Sequence, residues 1–172
     1  MSNNLNDKVY TPQHIVNDVM LNFSHLISRS DILMEPFKGE GVFYNEFKKY
    51  TDKHPIWCEI DLGVDFFNYE GSVDWIITNP PYSIFKEVLT KCLSVADNIV
   101  FVIPIGKLLT SMPRLTEIVR CGYGIREVFY LGSGRKLGFP FGFPVAAVHI
   151  KKGWCEGWYS EKYHPRCINN ER

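Results

Sequence analysis

The apolar run Trp75-Ile76-Ile77-Thr78 stops at Asn79-Pro80-Pro81-Tyr82. Two consecutive prolines can neither continue a strand nor enter a helix interior, so a strand has to end here and the backbone beyond it is rigid. The chain is thereby committed to a fixed ledge at a strand terminus. That ledge carries an amide, an exposed carbonyl and an aromatic ring, which together suit the gripping of a planar amino group on a conjugated ring. The Asn79 side-chain oxygen and the Pro80 carbonyl can each accept one hydrogen of such an NH2, while Tyr82 offers a stacking face. Drawing on both hydrogens takes the nitrogen lone pair out of conjugation and makes it a better nucleophile. The plainer alternative is a strand-terminating Pro-Pro turn.

Around the ledge the pattern alternates. Thr11-Pro12 suits the N-cap and first turn of a helix whose apolar face is Ile15, Val16, Val19, Met20 and Phe23. A short strand over Asp31 to Met34 runs into Glu35-Pro36-Phe37-Lys38-Gly39-Glu40-Gly41, after which Val42, Phe43, Phe47 and Tyr50 recur at helical spacing. Further strands are predicted over Ile56 to Ile60, Trp75 to Thr78, Asn98 to Ile103, Glu127 to Leu131 and Val145 to Ile150, with helices over Ile84 to Val95 and Leu115 to Cys121. Strands interleaved with helices predict an open, mainly parallel α/β sheet with ligands at the carboxyl ends of its strands.

A chain of 172 residues that is 45% apolar and 15% aromatic has room for one domain with a sizeable core and none for a second. No segment approaches the roughly 20 apolar residues of a membrane span, and the first residues lack the basic and apolar regions of a signal peptide. The expectation is a soluble protein of the cytoplasm. Five scattered cysteines without a C-x-x-C pair argue against a disulfide framework. Cys155, His164 and Cys167 lie close in sequence, but zinc needs a fourth ligand and tighter spacing, so no metal site is assigned.

Net charge is zero but unevenly spread. Residues 1–76 hold 6 Lys/Arg against 12 Asp/Glu, residues 77–134 hold 6 against 4, and residues 135–172 hold 7 against 3. A polyanion would meet the C-terminal half, around Arg135, Lys136, Lys151 and Lys152, unless these form an ordinary solvated surface. Glycines at 39 and 41, between a strand and a helix, let the backbone approach a ligand closely. The loop carries Glu35 and no G-x-x-x-x-G-K-[ST] pattern, which disfavours a phosphate cradle and favours a cation such as a sulfonium with an α-amino group.

The series Tyr10-Thr11-Pro12, Glu35-Pro36-x-x-Gly39-x-Gly41-x-Phe43, Glu59-Ile60-Asp61, Asp65-Phe66 and Asn79-Pro80-Pro81-Tyr82 resembles the amino-group methyltransferases that use S-adenosylmethionine. It is most similar to the N6-adenine DNA methyltransferases, in particular short phage-type members, over roughly residues 8 to 150. The resemblance implies a Rossmann-like, doubly wound, mainly parallel sheet of seven strands in a single catalytic domain over 1–172, with an N-terminal cofactor segment at about 8–25 and a tail at 151–172. It implies a bacterial or phage-infected host cell.

Residue by residue, the resemblance implies that Tyr10, Thr11 and Pro12 touch the methionine part of the cofactor and that Glu35, Pro36, Gly39 and Gly41 form the loop beneath it. Glu59 and Asp61 compete for the ribose hydroxyls. Asp65 accepts from the cofactor's adenine, Phe66 supplies its amide or apolar packing, and Asn79, Pro80, Pro81 and Tyr82 hold the target base. The short interval between Glu59 and Asp65 departs from the family and leaves no room for a full helix there. Family members with sequence specificity append a target-recognition domain. Since this chain stops soon after its last strand, little intrinsic sequence specificity, a specificity partner or a second copy of the chain is expected.

The loop at about 132–144 mixes glycine, proline and phenylalanine and is expected to be irregular. Phe139 and Phe141 beside Arg135 and Lys136 suit stacking on a base, with the charges on phosphate, unless the rings fold back onto the core. The expected substrate is adenine in DNA, flipped from a duplex or single-stranded. RNA adenine, a protein glutamine amide, and a non-catalytic accessory role are the alternatives.

Overall fold

The computed structural model describes residues 9–156. The tail at 157–172, with His164 and Cys167, and the first eight residues lie outside the described residues. Six strands form one sheet: β1 Leu33–Glu35, β2 Ile56–Trp57, β3 Val73–Thr78, β4 Ala96–Pro104, β5 Tyr123–Ser133 and β6 Pro144–Lys152, in the order β2-β1-β3-β4-β6-β5. The first four are parallel, whereas β6 runs antiparallel to both its neighbours. The α/β architecture matches the expectation from sequence, but the described residues show a mixed sheet of six strands.

The difference from seven strands has a local cause. Residues 58–72, between β2 and β3, hold only two 3-10 turns, Ile60–Leu62 and Phe66–Asn68, and a single bridge from Glu59 to Val64. A chain that must return from the end of β2 past β1 to the start of β3 in that length has no residues left for a further strand and its helix.

Both faces of the sheet are buried by the period-two alternation of its strands. Ile76, Ile99, Phe101, Ile103, Ala146 and Val148 point to one side, where they pack with α3 (Phe85–Val95) and α4 (Met112–Arg120). Trp75, Ile77, Val100, Val102 and Ala147 point to the other, against α1 (Gln13–Phe23) and α2 (Val42–Phe47). All five apolar residues predicted for α1 are fully buried. Thr11 does not cap that helix: the N-cap is Pro12 with extended ψ of 142°, and no side chain caps it. His149 is buried in this face between Phe23 and Trp75, and burial pushes its pKa down to about 3, so it is a neutral core residue.

The topology gathers the functional candidates at one end. The loops after β1, β2, β3 and β4 all leave the carboxyl edge of the parallel strands. Because β6 is antiparallel, with Val145 opposite Pro104 and Pro144 opposite Ser133, the connection from β5 to β6 opens at that same edge. Among the described residues no helix is long and apolar enough to cross a membrane, and no cluster of three or more His, Cys, Asp or Glu is placed to hold a metal. Cys58 and Cys92 are buried free thiols, and Cys121 is an exposed one.

Candidate active site

β3 ends at Thr78 and the chain turns through the prolines into a 3-10 turn, Tyr82–Ile84. The Asn79 amide is fixed from both sides. Its Nδ2 donates to the carbonyl of Val9 at 2.9 Å, and its Oδ1 accepts the Tyr82 hydroxyl at 2.9 Å. An amide so held cannot flip, because reversing it would set nitrogen against hydroxyl and oxygen against carbonyl. Oδ1 retains a second lone pair for an incoming amino group. Tyr82 therefore orients the amide as well as presenting a ring, a role its position in the motif did not disclose.

The N-terminal segment reaches the ledge by its backbone and the glycine loop by a side chain. Tyr10 lies against Gly39, where an added Cβ would sit 3.3 Å from the ring. Gly39 and Gly41 have φ of 48° and 81°, the left-handed region that favours glycine, so this turn after β1 is specified by residue type. Glu59, just past β2, ties the loop down: one carboxylate oxygen accepts from the Gly39 amide at 2.7 Å and the other from Asp61 at 3.2 Å. Asp61 itself is exposed. Asp65 caps the second 3-10 turn by accepting from the Phe67 amide at 2.9 Å, and Phe66 is buried edge-on to Phe37.

Glu35 departs from the expected acidic mouth. It is only 2% exposed, it accepts the Thr78 hydroxyl at 2.5 Å, and burial pushes its pKa up to about 8, with the charge of Glu59 adding to the rise. At neutral pH it is an uncharged carboxyl beneath the loop, and the negative charges near the mouth belong to Glu59, Asp61 and Asp65.

With this geometry established, comparison with known proteins is informative at the level of fold. No protein-family model matches the sequence, and no curated protein matches it. Solved structures do. One assigned as an RNA methyltransferase from Pyrococcus horikoshii aligns with a TM-score of 0.65 at 16% identity, over 84% of this chain and 86% of that one. The modification subunit assigned to a type I restriction enzyme from Vibrio vulnificus aligns with a TM-score of 0.62 at 12% identity, over 88% of this chain and 46% of that one. Magnesium protoporphyrin IX methyltransferase from Synechocystis, solved with bound S-adenosylmethionine, aligns with a TM-score of 0.53 at 12% identity, over 81% of this chain and 79% of that one. The chain has the methyltransferase fold.

Within that fold the segment from β5 to β6 differs from the irregular loop expected. It opens with a one-turn helix, α5 (Gly134–Leu137). Phe139 is 3% exposed and packs into the core against α1 and α2, so it is not presented for stacking on a base; the apolar face beneath it offers more burial than solvent does. Phe139 stacks on Phe141 (centroids 5.3 Å, 14°), Phe141 meets the Tyr82 ring edge-on at 6.0 Å, and Phe143 lies 6.2 Å further out with 66% of its surface exposed. The rings thus form a ladder from core to surface that passes beside the ledge. Arg135 and Lys136 are exposed on α5. Phe143 and Lys107, the latter in the turn after β4, also belong to this edge, and nothing in the local sequence marks them. Adjacency of the β4 turn to the ledge is visible only once strand order is known.

Gly134 makes the ladder possible. A Cβ there would lie 2.5 Å from the Phe141 carbonyl oxygen and 2.8 Å from its ring, distances real side chains do not show. Gly134→Ala is expected to cost about 1–3 kcal/mol by overpacking and to displace Phe141 from Tyr82. Thermal unfolding with near-UV circular dichroism checks both, and unchanged aromatic signal with unchanged Tm would contradict the packing described.

Proposed function

We propose that this chain transfers the methyl group of S-adenosylmethionine to the N6 amino group of adenine in a polynucleotide, with DNA the substrate that its motif series favours. The observation that carries the reading is the doubly fixed Asn79 amide on the rigid turn after β3, with Tyr82 beside it. A degenerate, non-catalytic site has no need of an oriented amide there.

The residues present fit the cofactor. The turn after β1 bends on two left-handed glycines, with Tyr10 against Gly39 and Lys38 against Gly41, and Glu59 and Asp65 stand in the segment that follows β2 at the same edge of the sheet, with lone pairs to spare. Glu59, which is tied to the loop, is the better partner for the ribose hydroxyls than the exposed Asp61. Asp65 Oδ1 is engaged by Phe67, so Oδ2 is the atom available to the cofactor's adenine, with Phe66 and Phe37 supplying apolar packing. Tyr10 and the loop from Glu35 to Gly41 would enclose the methionine end.

Bound S-adenosylmethionine supplies a methyl group activated by its sulfonium. Asn79 Oδ1 and the Pro80 carbonyl hold the two hydrogens of the target amine and direct its lone pair toward that methyl. Tyr82 keeps the amide in register and stacks on the base. Positioning and electrostatics carry the catalysis, and the proton is lost from the methylated amine to solvent or along the ledge.

The test is transfer of labelled methyl to unmethylated duplex DNA, single-stranded DNA, RNA and protein in parallel, with nucleoside analysis. N6-methyladenine in DNA is the expected product. Label in RNA or protein alone would move the substrate, and absence of both label and cofactor binding would sink the reading. Asp65→Ala is expected to weaken cofactor binding roughly 10-fold, the value of one well-made hydrogen bond to a charged group. Its kcat at saturating cofactor should change little, as titration calorimetry and steady-state kinetics would show.

A further inference from the structure

Lys107 stands in the 3-10 turn Ile105–Lys107 at the carboxyl end of β4, the strand next to the one that carries the ledge. Its Nζ donates to the Tyr82 carbonyl at 3.4 Å and lies 5.8 Å from the centroid of the Tyr82 ring. The side chain is half-buried, and among the described residues it makes no ion pair with a carboxylate. Its backbone is held in turn, since Arg114 Nη1 donates to the Lys107 carbonyl at 2.6 Å and brings a second positive charge to the turn. Tyr82 also meets Phe141 edge-on, and Phe141 leads out to the exposed Phe143.

A half-buried ammonium gives up hydration and gains by meeting an anion. An exposed phenylalanine on a backbone of glycines and prolines is a flat apolar face offered to solvent. Lys107 touches Tyr82 directly and Phe143 reaches it through Phe141, an arrangement in which a base lies on the tyrosine, a phosphate meets the lysine, and a second base meets the outer ring.

We propose that Lys107 and Phe143 clamp the polynucleotide around Tyr82, Lys107 binding a backbone phosphate of the target nucleotide and Phe143 stacking on a neighbouring base. This rests on the function proposed above and sharpens it, because a protein amide brings neither a phosphate nor a second ring. The clamp selects a strand whose target is unstacked, since a base inside a duplex cannot reach Tyr82 while its neighbour lies on Phe143.

The measurement is fluorescence anisotropy of a labelled single-stranded adenine-containing oligodeoxynucleotide, and of its RNA counterpart, titrated with the protein in the presence of S-adenosylmethionine across a series of salt concentrations. Cofactor affinity of each variant, by calorimetry, reports that it is folded. Lys107→Ala is expected to weaken binding about 10-fold at low salt and to flatten the slope of log K against log salt by about 0.7, one phosphate's worth for a single strand. Lys107→Arg should restore the slope. Phe143→Ala is expected to weaken binding by a similar factor with the slope unchanged, and Phe143→Trp to retain it. These results with either strand support the clamp. Wild-type binding to a strand with an unaltered slope in Lys107→Ala, or undiminished affinity in Phe143→Ala, would overturn it and leave the methyltransferase reading intact. Failure of the wild-type protein to bind any polynucleotide while it binds the cofactor would remove the polynucleotide reading on which the clamp rests.

Discussion

Asn79→Ala is expected to lower kcat for methyl transfer by about 100- to 1,000-fold, the loss seen when one preorganised hydrogen-bonding group is removed from a developing charge. Cofactor affinity should stay within a few-fold of wild type, because the amide's own partners are Val9 and Tyr82, and the loop that would hold the cofactor is tied down by Glu59. The substitution removes the acceptor for one amine hydrogen and also breaks the Tyr82–Asn79 bond, so the ring loses one of its restraints as the base loses its partner. These two losses fall on the reacting amine; the third, of the bond to the Val9 carbonyl beside Tyr10, is the one that reaches the cofactor side and accounts for the few-fold change allowed there. Calorimetry for the cofactor and single-turnover methylation separate the two quantities. A variant that turned over normally would remove Asn79 from the chemistry; one that lost cofactor binding along with turnover would place the amide in the cofactor pocket instead.

The ledge was legible in the sequence because its two constraints are local. Prolines end a strand wherever they fall, and Asn79, Pro80 and Tyr82 follow one another on the same short turn; the Tyr82 hydroxyl bond that orients the amide is nonetheless a structural finding. The helical face of α1 was legible for the same reason, its period being written in five residues. What escaped depends on contacts distant in the chain. The carbonyl that fixes Asn79 comes from Val9, 70 residues away, and Lys107 reaches Tyr82 only because β4 pairs with β3. The direction of β6 has no local signature either, since an apolar strand buried on both faces reads the same parallel or antiparallel. Phe139 and Phe143 are equivalent in a sequence of alternating phenylalanines, and the α1/α2 face decides which is core and which is surface. Glu35 shows the limit most sharply: its place in the loop suggested a charge, and only its burial against Thr78 shows an acid kept neutral.

That buried acid sets the second large effect. An unfolded chain ionises Glu35 near 4.5, whereas the folded protein holds it protonated up to about 8. A carboxyl whose pKa is raised on folding contributes stability that is fully present below the unfolded value and is lost as pH rises through the folded one. Between those limits the loss is about 1.4 kcal/mol per pH unit, or about 5 kcal/mol in all. Glu35→Gln keeps the shape and can still accept from Thr78, yet has no proton to lose. Its unfolding curve should therefore match the wild type near pH 4.5 and lie above it at pH 8, by roughly 10 °C in Tm for a chain of this size. Parallel Tm profiles for the two proteins would show that Glu35 is not held neutral by the fold. The same variant should bind S-adenosylmethionine more weakly, since an ammonium brought to the β1 loop would favour the ionised carboxylate and an amide offers it only a dipole. Stability thus favours a neutral residue at position 35 and ligand binding a charged one. A carboxyl in a place where glutamine would fold better is what a site selected for a cationic ligand is expected to retain.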